Sequence, residues 1–327
     1  MAQNNLPVTL CLVTGFLVVA NLVMNPWIAR QPFHKKLEEI RLAHDPTLLF
    51  IGNSLLDSRV DVLALQSGYG PEGWKILPLN AALGGTDPHV QALLMNESVR
   101  DHPTLHTVVI GVFDFQLTKE ERFRPGDLTG NDSVGLDKRF PREEVDKIYQ
   151  FSKLEDLELR LLRMTPMVAY RTNAWKYVEI LRRGMGEMGM PHAETNKNGR
   201  VADFAALEAG TPDHFDQEAG EYLNKPAAFN NSYESIFLLA QQRHLGVVIV
   251  LMPMSPTHRQ TYYSRPSWSH YFSTERQQLE KRGFTVIDAS DWMPRPDQFV
   301  DSLHMSAAGS SEFSFRIGQE LRQAGLF

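Results

Sequence analysis

Two short stretches near opposite ends of the chain carry the residue types of nucleophilic catalysis. Ser54 ends a Gly-Asn-Ser sequence that follows the apolar run 48–51, which predicts a buried strand leading into a tight turn. Asp301 stands three residues before His304. A serine hydroxyl is a weak nucleophile unless a neighbouring base accepts its proton. The two stretches together supply a nucleophile, a base and an acid that can orient the base.

Each stretch also has a purely structural explanation. Serine is a favoured N-cap, so Ser54 could simply begin a helix after its strand. Asp301 and His304 could form a capping loop before the last helix. The catalytic interpretation gains weight because the carboxyl ends of parallel strands meet at one edge of a sheet, where α/β proteins bind their ligands.

The motifs resemble those of the SGNH/GDSL hydrolase superfamily. In that family a Gly-Asp-Ser-like turn follows the first strand, a glycine follows the second strand, and Asp-x-x-His precedes the C-terminal helix. The matching positions are Ser54, Gly84 in the sequence Asn-Ala-Ala-Leu-Gly-Gly, and Asp301 with His304. The resemblance covers about 46–114 and 245–325.

One motif of the family is altered in this chain. A Gly-x-Asn-Asp turn follows the family's third strand, and its asparagine side chain donates to the oxyanion. Here Phe113 occupies the asparagine position and Asp114 follows it. Loss of one such donor lowers the rate about 100- to 1,000-fold, so a weakened or inactive enzyme stays open. Asp114 either touches the substrate or caps the following segment.

The resemblance implies a role for each matched residue. The expected nucleophile, base and orienting acid are Ser54, His304 and Asp301. The expected oxyanion donors are the backbone N–H groups of Ser54 and of Gly84 or Gly85, with Asn53 or the Asp114 region replacing the missing amide.

Other candidates for chemistry are weaker. Arg59 could bind an acidic group of a substrate or pair with Asp61. His258 is a rival base or a surface-loop histidine. Asp87 and His89 could contact a metal, but two ligands without a third make a weak site. We therefore predict neither a metal nor a cofactor.

Strands alternate with helices along much of the chain, which predicts a parallel sheet covered on both sides. The expected fold is a three-layer α/β/α domain with a flavodoxin-like sheet. Its predicted strands are 47–52, 74–80, 107–112, 244–251 and 284–288. Predicted helices include 57–67, 143–163 and 307–323. Residues 116–230 are too long for an ordinary connection, so we interpret them as a mostly helical insertion that forms a cap or a protein-partner surface, with 186–230 loose.

Residues 6–24 form a run of 19 residues without a charge, which is the length of a membrane-spanning helix. A buried core helix and a cleaved signal peptide are the alternatives, but no lysine or arginine precedes the run. The domain scheme is an anchor at 1–29, a linker helix at 30–45 and an α/β domain at 46–327, interrupted by the insertion.

The sequence gives conflicting signals for the orientation of this predicted single-pass protein. Basic residues follow the span, which favours a cytoplasmic body, whereas the resemblance implies a body outside the cytoplasm, and we predict the latter.

Composition excludes some functions. The net charge is −6 and no Lys/Arg-rich run is present, which argues against nucleic-acid binding. Cys11 is the single cysteine, so there is no disulfide framework and no cysteine-based metal site.

The resemblance implies a serine hydrolase that acts on O-acyl esters, with acetyl as the expected acyl group, of carbohydrate or cell-envelope polymers. An O-acetyltransferase and a non-catalytic scaffold of the same fold are the alternatives.

Overall fold

The computed structural model describes residues 31–119, 122–128, 130–165, 212–224 and 229–327, together with positions 15 and 19. No helix within these ranges is long and apolar enough to cross a membrane. The predicted anchor, 6–24, lies outside the described residues except for Gly15 and Val19.

Internal contacts divide the chain into two compact units. The first comprises Met1–Glu39 and Arg122–Met190, and the second comprises Ile40–Glu121 and Pro191–Phe327. The second unit contains the sheet and every candidate residue of the site.

The sheet of the second unit has five parallel strands. They are β1 (Leu48–Ile51), β2 (Pro78–Asn80), β3 (Thr107–Val112), β4 (Gly246–Leu251) and β5 (Thr285–Asp288). Neighbouring strands pair in parallel in the order β2-β1-β3-β4-β5. This is the flavodoxin-like order, and it confirms the predicted α/β fold.

The described residues also form nine α-helices of eight or more residues. They are α1 (Pro32–Leu42), α2 (Val62–Tyr69), α3 (Pro88–Asp101), α4 (Arg142–Tyr149), α5 (Lys153–Met164), α6 (Pro212–Asn224), α7 (Asn231–Gln242), α8 (Pro266–Lys281) and α9 (Ala307–Gln323). Short 3-10 turns cover Gly73–Lys75, Pro125–Asp127, Gly130–Leu136 and Pro296–Gln298, and the helical turn Pro256–His258 continues into a π turn, Arg259–Tyr263.

Helices cover both faces of the sheet, which gives the molecule its three layers. On one face, alternate strand residues share a core with α2 and α9; this core includes Leu48, Phe50, Val109, Val250, Leu65, Phe313 and Ile317. On the other face, α3 and α7 pack against each other and contact β1 and β4. All residues of β1 and β3 are buried, as expected for strands covered on both sides.

Helices α2 and α9 cross with their backbones in direct contact. A Cβ atom on Gly68 would overlap the carbonyl oxygen of Phe315, and one on Gly318 would overlap that of Leu65. These two positions therefore accept only glycine at the present helix separation. The pair matters for the site because α2 follows the Ser54 turn and α9 follows His304.

The predicted helix 57–67 is wrong at its start. Ser58 has a left-handed backbone (φ 57°), which ends the turn after β1 and prevents a continuous helix. The Asp61 side chain then accepts the N–H of Ala64 at 3.1 Å and caps α2. The predicted strand 74–80 is likewise shortened, because Gly73–Lys75 is a 3-10 turn.

The predicted helix 143–163 is two helices. Gln150 has a left-handed backbone (φ 52°) and ends α4. Ser152 then begins α5 with a capping box, in which its side chain accepts the N–H of Glu155 and Glu155 accepts the N–H of Ser152. In the stretch 186–230, which the sequence predicts to be loose, the described part contains α6.

The described part of the first unit has an apolar core and an exposed apolar stripe. Its buried side chains include Phe140, Val145, Ile148, Leu159 and Leu162. Along α5 the exposed apolar residues are Leu154, Leu157, Leu161 and Met164. Both the insertion boundaries 116–230 and a protein partner at the insertion stay predictions.

Helix α8 buries the carboxyl group of Glu275. Glu275 is 2% exposed, and its Oε2 atom has no hydrogen-bond partner among the described residues. Burial raises the pKa of Glu275 from 4.5 to about 7, because the charged form loses its hydration. The folded protein therefore retains a proton between pH 4.5 and 7 that the unfolded chain releases.

We expect the substitution Glu275→Gln to stabilise the protein at pH 8 and to change little at pH 5. Stability conferred by the protonated carboxyl is lost as the pH rises through the pKa of the folded state. The gain at pH 8 has an upper limit of about 3 kcal/mol. Thermal melting of both proteins at the two pH values measures it.

The matched control is Glu280→Gln on the same helix. Glu280 is exposed and accepts from Arg276 at 2.7 Å, and a surface pair of this kind contributes about 0.5 kcal/mol or less. An equal gain at pH 5 and pH 8 for Glu275→Gln would show that its ionisation is not the cause.

Candidate active site

A hydrogen-bonded turn presents Ser54 at the carboxyl end of β1. The N–H groups of Leu56 and Asp57 donate to the carbonyl oxygen of Asn53 at 3.1 and 3.0 Å. The side-chain oxygen of Asn53 accepts the N–H of Leu55 at 3.0 Å. Asn53 therefore holds the turn, and Ser54 remains partly exposed at its tip.

The loop between β5 and α9 carries the acid and the base. One carboxylate oxygen of Asp301 accepts the N–H groups of Leu303 and His304 at 2.9 and 2.7 Å. The Nδ1 atom of His304 lies 2.9 and 2.8 Å from the two carboxylate oxygens. The loop thus fixes both the position and the orientation of the imidazole ring.

The opposite ring nitrogen reaches the serine. Nε2 of His304 lies 2.8 Å from Oγ of Ser54. The structure therefore joins the three predicted residues in one chain of hydrogen bonds. Ser54 does not cap the helix that follows it, because Asp61 caps α2. Asp301 and His304 do not cap the last helix, because Ser306 caps α9.

Charge and exposure suit these groups to catalysis. Burial raises the pKa of the Asp301 carboxyl, but hydrogen bonds from the His304 ring and from the backbone N–H groups of His304 and Leu303 outweigh it, so its pKa lies below the ordinary value. Asp301 is therefore held as a carboxylate. The side chains of His304 and Asp301 are 22% and 21% exposed, so a substrate can reach them.

The arrangement can perform acyl transfer to serine. With Asp301 accepting the proton of Nδ1, Nε2 is left to accept the proton of Ser54 as Oγ attacks an ester carbonyl. The C–O bond to the alcohol then breaks, and the alcohol leaves with the proton from His304. Water attacks the acyl-serine by the same route and restores the free hydroxyl.

The predicted oxyanion donors are only partly arranged for that role. Gly84 lies beside the nucleophile, because a Cβ atom on it would stand 3.5 Å from Cβ of Ser54. However, its N–H donates to Oδ2 of Asp57 at 2.9 Å. Gly85 has a left-handed backbone (φ 66°), and Phe113 packs against the apolar core.

Asp114 is bound to two residues that the sequence did not connect with it. Its Oδ1 accepts the hydroxyl of Tyr263 at 2.8 Å and lies 3.1 Å from Nε2 of His258. Burial, and then the Asp114 carboxylate, raise the pKa of Tyr263 well above its ordinary value. The hydroxyl therefore stays protonated as a donor. Asp114 therefore forms a second acid–histidine pair and does not cap the segment that follows it.

The prediction of His258 as a surface-loop histidine is wrong. His258 is 5% exposed, and its N–H donates to Oγ of Ser255 at 3.2 Å. A serine followed by Pro256 is a helix-start signal, which could have predicted the helical turn that buries this side chain.

The remaining candidates do not join the triad. Among the described residues no ion pair links Arg59 to Asp61, and Nε of Arg59 is buried without a hydrogen-bond partner there. Asp87 accepts the N–H of His89 at 2.8 Å as the N-cap of α3. The described part of the chain contains no group of three or more His, Cys, Asp or Glu that could hold a metal.

Comparison with solved structures finds several that are distantly similar to this chain. Neither a family model nor a curated protein matches the sequence. A proposed acylhydrolase from Bacteroides fragilis is 10% identical, with 90% of this chain and 97% of that chain covered and a TM-score of 0.41. A GDSL-like lipase from Bacteroides thetaiotaomicron is 10% identical, with 90% and 98% covered and a TM-score of 0.41. TesA is 12% identical, with 86% and 99% covered and a TM-score of 0.36.

Similarity at these identities and TM-scores carries no weight for the function of this chain. Its fold rests on its own strand order, and its candidate chemistry rests on the contacts among Ser54, His304 and Asp301.

We expect Asp301→Asn to lower kcat for ester hydrolysis about 1,000- to 10,000-fold, because an amide no longer selects the ring tautomer that leaves Nε2 free. The control Asp297→Asn removes an exposed carboxylate from the same loop, where it pairs with Arg295 at 3.4 Å, and should keep full activity. Hydrolysis of a chromogenic acetate ester measures both. Comparable rates for Asp301→Asn and the wild type would remove Asp301 from the reaction.

Proposed function

We propose that the chain is an SGNH/GDSL-type serine hydrolase that cleaves O-acyl esters of carbohydrate or cell-envelope polymers, with acetyl as the acyl group. Ser54 is the nucleophile, His304 the general base and Asp301 the acid that orients it. The observation that carries the proposal is the 2.8 Å contact between Ser54 Oγ and His304 Nε2, with Asp301 on the other ring nitrogen.

Two features of the surroundings support an enzyme. The triad lies at the carboxyl edge of the sheet, beside the β1–β3 position where the strand order reverses, which is the usual ligand site of such folds. The carboxyl pKa of Asp301 is lowered by hydrogen bonds that also hold the imidazole, and perturbed titratable groups of this kind concentrate at functional sites.

Two alternatives remain for this fold. An acyltransferase would use the same triad, with a sugar hydroxyl instead of water attacking the acyl-serine. A non-catalytic scaffold is favoured by Phe113, which has no donor, and by the occupied N–H of Gly84. Probe labelling and product analysis distinguish the hydrolase, the acyltransferase and the scaffold.

We also propose that residues 6–24 anchor the protein through a single membrane span, with the α/β domain outside the cytoplasm. The support is the uncharged length of that run and the resemblance of the chain to anchored members of the superfamily.

We expect a fluorophosphonate probe to label the wild type and to leave Ser54→Ala unlabelled, because the probe reacts with a serine that a neighbouring base activates. The control Ser58→Gly removes a neighbouring hydroxyl at a backbone with φ 57° that glycine adopts freely, and it should label like the wild type. Labelling is read by gel fluorescence on protein shown to be folded by its melting curve. Equal signals from the wild type and Ser54→Ala would favour the scaffold.

We expect acetate release from a chromogenic acetate to continue unchanged when an acetyl-accepting oligosaccharide is added, because a hydrolase uses water as its acceptor. Mass spectrometry of the oligosaccharide checks for transfer. Acetylated oligosaccharide, accompanied by a matching fall in free acetate, would establish the transferase instead.

A further inference from the structure

The backbone N–H beside the nucleophile is held by a carboxylate. Gly84 donates to Oδ2 of Asp57 at 2.9 Å. A Cβ atom on Gly84 would stand 3.3 Å from that oxygen and 3.5 Å from Cβ of Ser54. The carboxylate, the amide and the nucleophile therefore lie side by side, next to the position that an ester carbonyl would take on attack by Ser54.

The chain holds Asp57 there by its backbone and leaves its side chain accessible. The N–H of Asp57 donates to the carbonyl oxygen of Asn53 at 3.0 Å, in the same turn that presents Ser54. The residue is only partly buried, and Ser58 Oγ lies 3.4 Å from its other oxygen. The contact with Gly84 therefore depends on the side chain of Asp57 and not on its backbone.

This contact opposes the hydrolysis of a simple ester in two ways. An ionised carboxylate only accepts hydrogen bonds, so it occupies a donor that the developing oxyanion needs. It also places a negative charge beside the atom that becomes negative in the transition state, and donors directed at that atom supply much of the catalysis. Phe113 cannot compensate, because its side chain has no donor.

We propose that Asp57 determines the substrate specificity of the site. When the ester belongs to a polyol or carbohydrate, a hydroxyl next to the ester donates to the Asp57 carboxylate, and the carboxylate then leaves Gly84. The vicinal hydroxyl takes the place of the Gly84 N–H as the partner of Asp57. The Gly84 N–H can then donate to the ester carbonyl oxygen. An ester without such a hydroxyl meets a blocked donor. The proposal rests on the proposed function and names the substrate feature that the same site recognises.

The test compares two acetates that differ in hydroxyl groups and share the acyl group and the length of the alcohol. These are glycerol monoacetate, with neighbouring hydroxyls, and n-propyl acetate, with none. We expect the wild type to prefer glycerol monoacetate at least 10-fold in kcat/KM. In Asp57→Ala we expect n-propyl acetate to be hydrolysed about 10-fold faster and the preference to disappear, since a regained oxyanion donor has an effect of this order or more. Acetate release followed in a pH-stat measures both rates.

Two further variants make the result specific. Asp57→Asn keeps an oxygen that can accept from Gly84 but removes the charge, so it should raise n-propyl acetate hydrolysis less than Asp57→Ala, and it also carries the test if the alanine variant does not fold. Asp291→Ala removes an exposed acid after β5 and should leave both rates and their ratio unchanged.

Each remaining outcome counts against a stated claim. Ser54-dependent hydrolysis with an unchanged or larger preference for glycerol monoacetate in both folded Asp57 variants overturns the role of Asp57 alone. A wild type that hydrolyses neither ester, with Asp57→Ala no faster, overturns the proposed function and the inference with it.

Discussion

The hydrogen bond between Ser54 Oγ and His304 Nε2 joins residues 250 positions apart in the sequence. Its geometry depends on the crossing of α2 and α9, since each helix follows one of the two loops that carry these groups. The helices meet at Gly68 and Gly318, and the N–H of Asp61 at the start of α2 donates to Ser314 Oγ of α9 at 2.8 Å. The candidate site is therefore held by helix packing as well as by the edge of the sheet.

A second acid–histidine pair, Asp114 with His258, lies after β3 and β4. Asp114 has a left-handed backbone (φ 43°), a conformation that a non-glycine residue keeps only when its surroundings hold it. The hydroxyl of Tyr263 and the ring of His258 supply that hold, and Tyr263 in turn stacks on Trp268 with ring centroids 4.2 Å apart. The residue after Phe113 thus has its own separate set of contacts.

The sequence predicted what local patterns determine. The strands of continuous apolar residues and the Asp-x-x-His motif were readable because neighbouring residues encode them. The break at Gln150 escaped prediction because a non-glycine residue adopts the left-handed conformation there, although the capping box at Ser152 was a legible signal. The contact of Asp57 with Gly84 spans 27 residues and that of His258 with Asp114 spans 144, so only the folded chain reveals them.

The close helix crossing makes the protein sensitive at sites that touch no substrate. Any amino-acid substitution at Gly68 or Gly318 introduces a Cβ atom where a backbone carbonyl already lies, so the two helices must separate. A genetic screen for inactive alleles would therefore recover these two glycines together with the chemical residues, and sorting the alleles would require a measure of folding beside the measure of turnover.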